Sequence, residues 1–460
     1  MIAIFSGYIL LSCFLAIKKP TYFIIWYLFS TTKFLGFFDL EYYFVIAGLG
    51  LGIPVLNLIS FAFAFYAKKL YKTPKKIIQI IAPFLVFLSY GIIRPILLEF
   101  ENTQQAIIAS KEFWCISILI YLFLRRREIN NRLIIKYLKI IGLYLAIMYS
   151  TFLLFNIGPP FYLQENFVRG FFPTFISLAF FLFYVDFQNG KIKNLHFFYL
   201  SVILFSGLIL CDHFSLFIGT FFAWLILFVF YKKNKFIVQH TVSKSFFIIV
   251  TLCFIFLFLP QIRETSINLV HGIIEGTDTG LISRDIYNSF RWDAIDKQYF
   301  FGYGFIHKSS PLSINLITNE DNRFMESLSV IDSGYVDILV KVGYVGMFLY
   351  LFSWLKIITP ILRKPKKHQL IQLAMAAYIL QYFIINYTWS VFTYSHGLIP
   401  GFFAIYFIFE SDFVPLKYIQ KSPITRDVPN NTIVFGQNQF ANKKITIPKE
   451  GGSFNLIIEK

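Results

Sequence analysis

Long apolar runs separated by short polar connections recur from the first residue to about residue 410. They fall near 2–17, 21–38, 42–67, 77–98, 106–124, 133–157, 170–187, 195–211, 214–231, 245–260, 333–357, 369–392 and 396–410. Crossing the roughly 30 Å of hydrocarbon in a bilayer takes about 20 residues of helix. Inside lipid the backbone has to bond to itself, so these runs are read as helices. The alternation expected of a transmembrane barrel is absent. The predicted fold is an all-α polytopic integral membrane protein of about 12–13 transmembrane helices over 1–410, with one long extracytoplasmic loop over 261–332. A polar, proline-containing cytoplasmic tail over 411–460 follows, and no function is assigned to it.

Composition agrees, with 57% hydrophobic and 15% charged residues. The formal charge of +17 would suggest nucleic acid if it were clustered, but the basic residues sit in alternate connections, which is a topology signal. They are Lys18-Lys19, Lys68-Lys69 with Lys75-Lys76, Arg125-Arg126-Arg127, Lys191 with Lys193, Lys232-Lys233 with Lys235, and Arg363-Lys364 with Lys366-Lys367. The positive-inside rule places these in the cytoplasm and the long loop outside, on the periplasmic side of a bacterial inner membrane. Cys13, Cys115, Cys211 and Cys253 lie in or beside apolar runs without C-x-x-C spacing, so neither disulfide nor metal is expected.

The candidate chemistry gathers on the outer side. Arg94 stands in Gly91-Ile92-Ile93-Arg94-Pro95, Arg169 just precedes an apolar run, and Arg284 and Arg291 lie in the loop. An arginine at the membrane is costly unless it snorkels, pairs with a carboxylate such as Glu99 or Glu165, or binds an anion. Guanidinium forks suit a diphosphate, and a lipid diphosphate is a ligand presented at that surface. Asp332 opens the run Asp332-Ser333-Gly334-Tyr335, where it reads either as a helix N-cap or as a general base toward a sugar hydroxyl. Asp337, inside an apolar run, needs a partner such as Lys341 at i+4. Gly302 and Gly304 form a lone G-x-G that suits a tight turn better than a nucleotide. His213 and His396, in outer turns, are acid–base candidates or simply solvated.

Taken in order, these motifs resemble the O-antigen polymerase and ligase superfamily over about residues 140–410. The resemblance rests on Arg169-Gly170-Phe171-Phe172-Pro173, on Arg284 followed by Gly302-Tyr303-Gly304, and on Asp332-Ser333 ahead of Gly343-Tyr344-Val345-Gly346. Ligases carry His at the position of Asp332, and Asp is familiar in the polymerase branch. The family's Ser-Arg-Gly near Asp212-His213 is missing. The resemblance implies a metal-independent, cofactor-free, inverting glycosyltransferase that polymerises polyprenyl-diphosphate-linked repeat units. Arg284, Arg169 and Asp332 would be catalytic. Arg291, Arg94, Tyr335, Gly302, Gly304, His213 and His396 would contact substrate. Membrane lipid, a flippase and a chain-length regulator are the implied partners. Alternatives are a ligase onto lipid A-core, a transporter of lipid-linked sugars and a non-catalytic scaffold.

Overall fold

A computed structural model describes residues 2–32, 45–46, 49–50, 53–66, 75–155, 172–211, 214–232, 291–307, 309–310, 333–365 and 368–410. Thirteen α-helices with defined bounds occur among them: α1 (Ile2–Lys18), α2 (Pro20–Thr31), α3 (Ile53–Ala64), α4 (Lys75–Leu97), α5 (Thr103–Ala109), α6 (Ile116–Leu124), α7 (Asn131–Phe155), α8 (Thr174–Gln188), α9 (Asn194–Leu210), α10 (Phe214–Lys232), α11 (Gly334–Arg363), α12 (Leu370–Ile385) and α13 (Ser395–Glu410), with a 3-10 helix (Lys111–Cys115) leading into α6. A helical stretch over 291–297 precedes the G-x-G. The protein is an all-α polytopic membrane protein.

Three described helices are long and apolar enough to cross a bilayer, Ile77–Leu97, Asn131–Thr151 and Gly334–Arg363. A fourth would be α5 with α6, and shorter apolar helices accompany them. The expected run over 106–124 is not straight. It bends by 57° between Ala109 and Lys111, where the Ser110 hydroxyl donates to the Ile107 carbonyl at 2.8 Å and accepts from Trp114 Nε1 at 3.0 Å. The expected run over 42–67 is likewise interrupted. A two-residue hairpin, Val45–Ile46 against Leu49–Gly50, precedes the shorter α3, as the glycines and Pro54 in this stretch favour. α12 stops at Ile385 rather than near 392, and turns follow. The run expected over 245–260 lies outside the described residues.

α7, α8 and α9 pack on one another, α10 and α13 pack on α12, and α3 packs on α6 and α1. α11 lies against α4 and α12. Cys115 and Cys211 are buried free thiols and Cys13 is half-buried.

At the end of the bundle bearing the basic connections, Arg125 is almost fully buried. The last carbonyls of a helix have no partner within it. Arg125 supplies one to two helices at once, donating from Nη1 to Ala16 (3.2 Å) and Phe63 (3.2 Å) and from Nη2 to Ile17 (3.0 Å). Its other face forks onto Glu128 at 3.1 and 2.7 Å. The Arg125→Gln variant should lose about 3 kcal/mol, because the fork and a buried charge partner go together. Arg125→Lys should recover under half of that, since an ammonium lacks the planar fork. Thermal unfolding of the detergent-solubilised protein measures both.

Candidate functional site

Two helices meet at the opposite end of the bundle with defects in their hydrogen-bond ladders, and one segment repairs both. In a regular helix the Tyr344 N–H donates to Val340 and the Val345 N–H to Lys341. At Gly343, where φ is +64° and ψ is −173°, α11 breaks, and all four groups lose those partners. Tyr344 N instead donates to Tyr299 O at 3.0 Å and Val345 N to Phe300 O at 3.3 Å. The carbonyls of Val340 and Lys341 accept from Tyr303 N and Gly304 N, each at 2.8 Å. Two lost helix bonds leave four orphan groups, and four new bonds satisfy them. This is how a broken helix is tolerated at membrane depth.

The second defect is in α4. Pro95 has no N–H, so Gly91 O lacks its helical donor. Phe305 N fills it at 2.7 Å. A Cβ on Gly304 would fall 2.3 Å from Pro95 Cδ, one on Gly302 2.6 Å from the backbone nitrogens of Val342 and Gly343, and one on Gly91 2.2 Å from the Phe305 ring. Gly302 and Gly304 also hold φ of +63° and +86°. The G-x-G is therefore a close backbone approach between two helices, consistent with a tight turn over the membrane face. Tyr303 between them is buried, donates from its hydroxyl to Ala294 O at 2.9 Å, and has its phenol pKa pushed up by that burial. It packs with Ala294, Ile295, Ile306, Val336, Leu339 and Val340.

Arg94 secures the same segment. Its Nε donates to Gly302 O at 3.3 Å and its Nη2 to Gln298 Oε1 at 3.0 Å, and its guanidinium lies 6.0 Å from the centre of the Phe301 ring. Tyr90, one turn earlier, donates to Phe301 O. Further along, the Glu101 carboxylate accepts from His307 N at 2.9 Å.

The partner sought for Asp337 is Lys341, whose Nζ lies 2.7 and 2.6 Å from the two carboxylate oxygens. Thr393 donates to Oδ2 as well. Asp337 is fully buried, and the ammonium also lies 4.9 Å from the centre of the Tyr394 ring and 5.9 Å from that of Phe305. One ion pair thus joins α11, the G-x-G segment and the turn before α13.

Ser333, not Asp332, occupies the N-cap position of α11, and its hydroxyl donates to Tyr387 O at 3.2 Å. Tyr335 donates from its hydroxyl to Phe383 O at 2.6 Å and from its N–H to Asn386 O at 3.2 Å. Gly334 has no room for a side chain, because a Cβ there would sit 2.1 Å from Asn386 Oδ1. His396 stacks on Trp389 with ring centres 4.2 Å apart and planes at 6°, and its carbonyl accepts from Thr174. Arg291 is buried at the start of the 291–297 helix.

The structure therefore brings Arg94, Gly302, Gly304, Tyr335 and His396 to elements tied together at one end of the bundle. Arg169, Arg284, Asp332 and His213 lie outside the described residues. Sequence reasoning missed Gln298, Asn386 and Thr393. None is marked by local pattern, and each matters through a partner distant in sequence.

Residues 199–351 match the family model described as O-antigen ligase. The match agrees with the superfamily resemblance and supports a polysaccharide-related membrane enzyme. Arg284, the Gly302-Tyr303-Gly304 segment, Asp332 and the break at Gly343 all fall within it. Arg94, Arg169 and His396 fall outside it. No curated protein matches the chain.

Proposed function

We propose that this O-antigen ligase-like protein is a polymerase. It would join polyprenyl-diphosphate-linked oligosaccharide units at the extracytoplasmic face of the inner membrane. What supports the reading is Asp332 within the matched span and directly ahead of α11, a position at which the resemblance implies His for a ligase and Asp for a polymerase. The acceptor sugar hydroxyl attacks the anomeric carbon of the donor glycan, and Asp332 takes the hydroxyl proton. The bond from that carbon to the diphosphate oxygen breaks, and its electron pair leaves with the diphosphate. Arg284 and Arg169 bind the departing charge. Attack opposite the leaving group inverts the anomeric centre, and a diphosphate neutralised by arginines leaves without a divalent metal. A chain-length regulator and a flippase are the expected partners.

A ligase acting on lipid A-core is the second reading, favoured by the description of the matched family itself. The deciding experiment is a gel of surface and lipid-linked glycans from cells lacking the protein, complemented with wild type or Arg284→Ala. A polymerase predicts single repeat units, on lipid A-core or accumulating on lipid, without wild-type protein and with the variant. Long polymer held on polyprenyl diphosphate that never reaches the core would instead identify a ligase. An unchanged ladder would remove both readings for that glycan and turn attention to transport.

A further inference from the structure

The short helix over 291–297 has two unlike faces. Ala294 and Ile295 are buried and pack with Tyr303, Val336, Leu339 and Val340, the last three in the first turns of α11. The Tyr303 hydroxyl donates to Ala294 O at 2.9 Å, so this helix is pinned to the same frame as the G-x-G. Its other face is open. Trp292, Asp293, Asp296 and Lys297 are exposed there. Tyr299 follows them, also exposed, with its ring centre 4.3 Å from that of Tyr344 and its carbonyl bonded to Tyr344 N.

Trp292, Asp296 and Tyr299 stand at i, i+4 and i+7, the spacing of one helix face. They form a ring, a carboxylate and a second ring in line. Seven helical residues rise roughly 10 Å, the length of about two linked sugar rings. The exposed stripe of α11, made of Val345, Phe348, Leu349 and Phe352, is by contrast wholly apolar, and lipid chains suffice to cover it. Interfacial tryptophans and tyrosines often rest among lipid headgroups. Here two carboxylates to one ammonium share the face, which opposes an anionic headgroup and a diphosphate alike. A sugar is complementary to both halves of the stripe. The C–H face of its ring covers an indole or a phenol, and its hydroxyls donate to a carboxylate.

We propose that this stripe binds the sugar residues of the glycan substrate, with ring faces on Trp292 and Tyr299 and a hydroxyl donating to Asp296. It lies within the family-matched span, and it selects the glycan by its ring faces and hydroxyls rather than by its lipid. The identity of the ligand as the lipid-linked glycan rests on the polymerase reading.

The test uses purified full-length protein in phosphatidylcholine nanodiscs. The probe is the oligosaccharide released by mild acid from the surface glycan of the host cells, and farnesyl diphosphate is its sugar-free counterpart. Trp292→Ala should weaken the oligosaccharide about ten-fold, the scale of losing one central aromatic contact, and leave farnesyl diphosphate unchanged. Trp292→Phe should retain part of the affinity, and Asp296→Asn should lower it a few-fold. The difference in emission between wild type and Trp292→Phe isolates Trp292 from the rest of the six tryptophans. That emission should shift with oligosaccharide and resist quenching by brominated phosphatidylcholine. Quenching by the lipid without response to oligosaccharide would mark an interfacial anchor and overturn the proposal. Wild-type oligosaccharide affinity in both Trp292→Ala and Asp296→Asn overturns it too, as does an equal loss of farnesyl diphosphate. The glycan ladder is read separately. A ladder independent of the protein alongside Trp292-dependent oligosaccharide binding removes the polymerase reading and leaves this site. A protein-dependent ladder with wild-type binding by both variants does the reverse.

Discussion

Replacing Lys341 with methionine should destabilise the protein by about 3–5 kcal/mol, the usual cost of stranding one member of a buried ion pair. Asp337 has no solvent exposure, and both its oxygens are bonded to the Lys341 ammonium. Without that ammonium, the Thr393 hydroxyl is the remaining side-chain donor to it among the described residues. The double variant Asp337→Leu with Lys341→Met should regain at least half of the loss, because apolar side chains of similar volume often replace a buried pair without net cost. A double-mutant cycle on thermal unfolding in detergent measures the coupling. Equal instability of the single and double variants would mean that packing around Phe305 and Tyr394, not the charge pair, holds this junction.

That pair was legible in the sequence because it is local: an acid inside an apolar run with a lysine four residues on has few other ways to be satisfied. The approximate positions of the long apolar helices were legible for a similar reason, since lipid leaves the backbone of an apolar run little choice but helix. The break at Gly343 was not. Apolar residues continue on both sides of it, and its four displaced backbone groups are satisfied by residues about forty positions earlier. Gly91 with Pro95 and Gly302 with Gly304 were visible as motifs, yet nothing local shows that each pair is shaped to the other. For Arg94, a carboxylate partner, snorkelling and anion binding were all open, and the structure gives it a carbonyl and an amide more than two hundred residues away. Contacts between parts of the chain so far apart leave no periodic trace.

Gly343→Ala should straighten α11 and release the G-x-G segment while leaving the bundle folded. The torsions at Gly343 lie in a region essentially reserved for glycine, costing another residue about 1–3 kcal/mol. A Cβ there would also lie 2.4 Å from the Phe300 carbonyl carbon and oxygen. Alanine has an easy alternative, since it is the best helix former. In a continuous helix Tyr344 N returns to Val340 O and Val345 N to Lys341 O, and the two helix bonds form at the expense of the four that hold residues 299–304. At about 1 kcal/mol each, the segment loses roughly 4 kcal/mol of anchorage, and its remaining ties through Arg94 and Tyr90 are strained in turn. Hydrogen exchange at the amides of Tyr303, Gly304 and Phe305 should therefore quicken by about a hundred-fold or more, with protection in α7 and α8 unchanged. Val345→Ala, at an exposed position beside the break, should leave these amides protected. If the protein polymerises glycan as proposed, polymerisation should fall with the segment's protection, because the same displacement frees Gly302 from Arg94. Unchanged exchange in a folded Gly343→Ala protein would show that the helix break does not hold the segment and that α4 alone does.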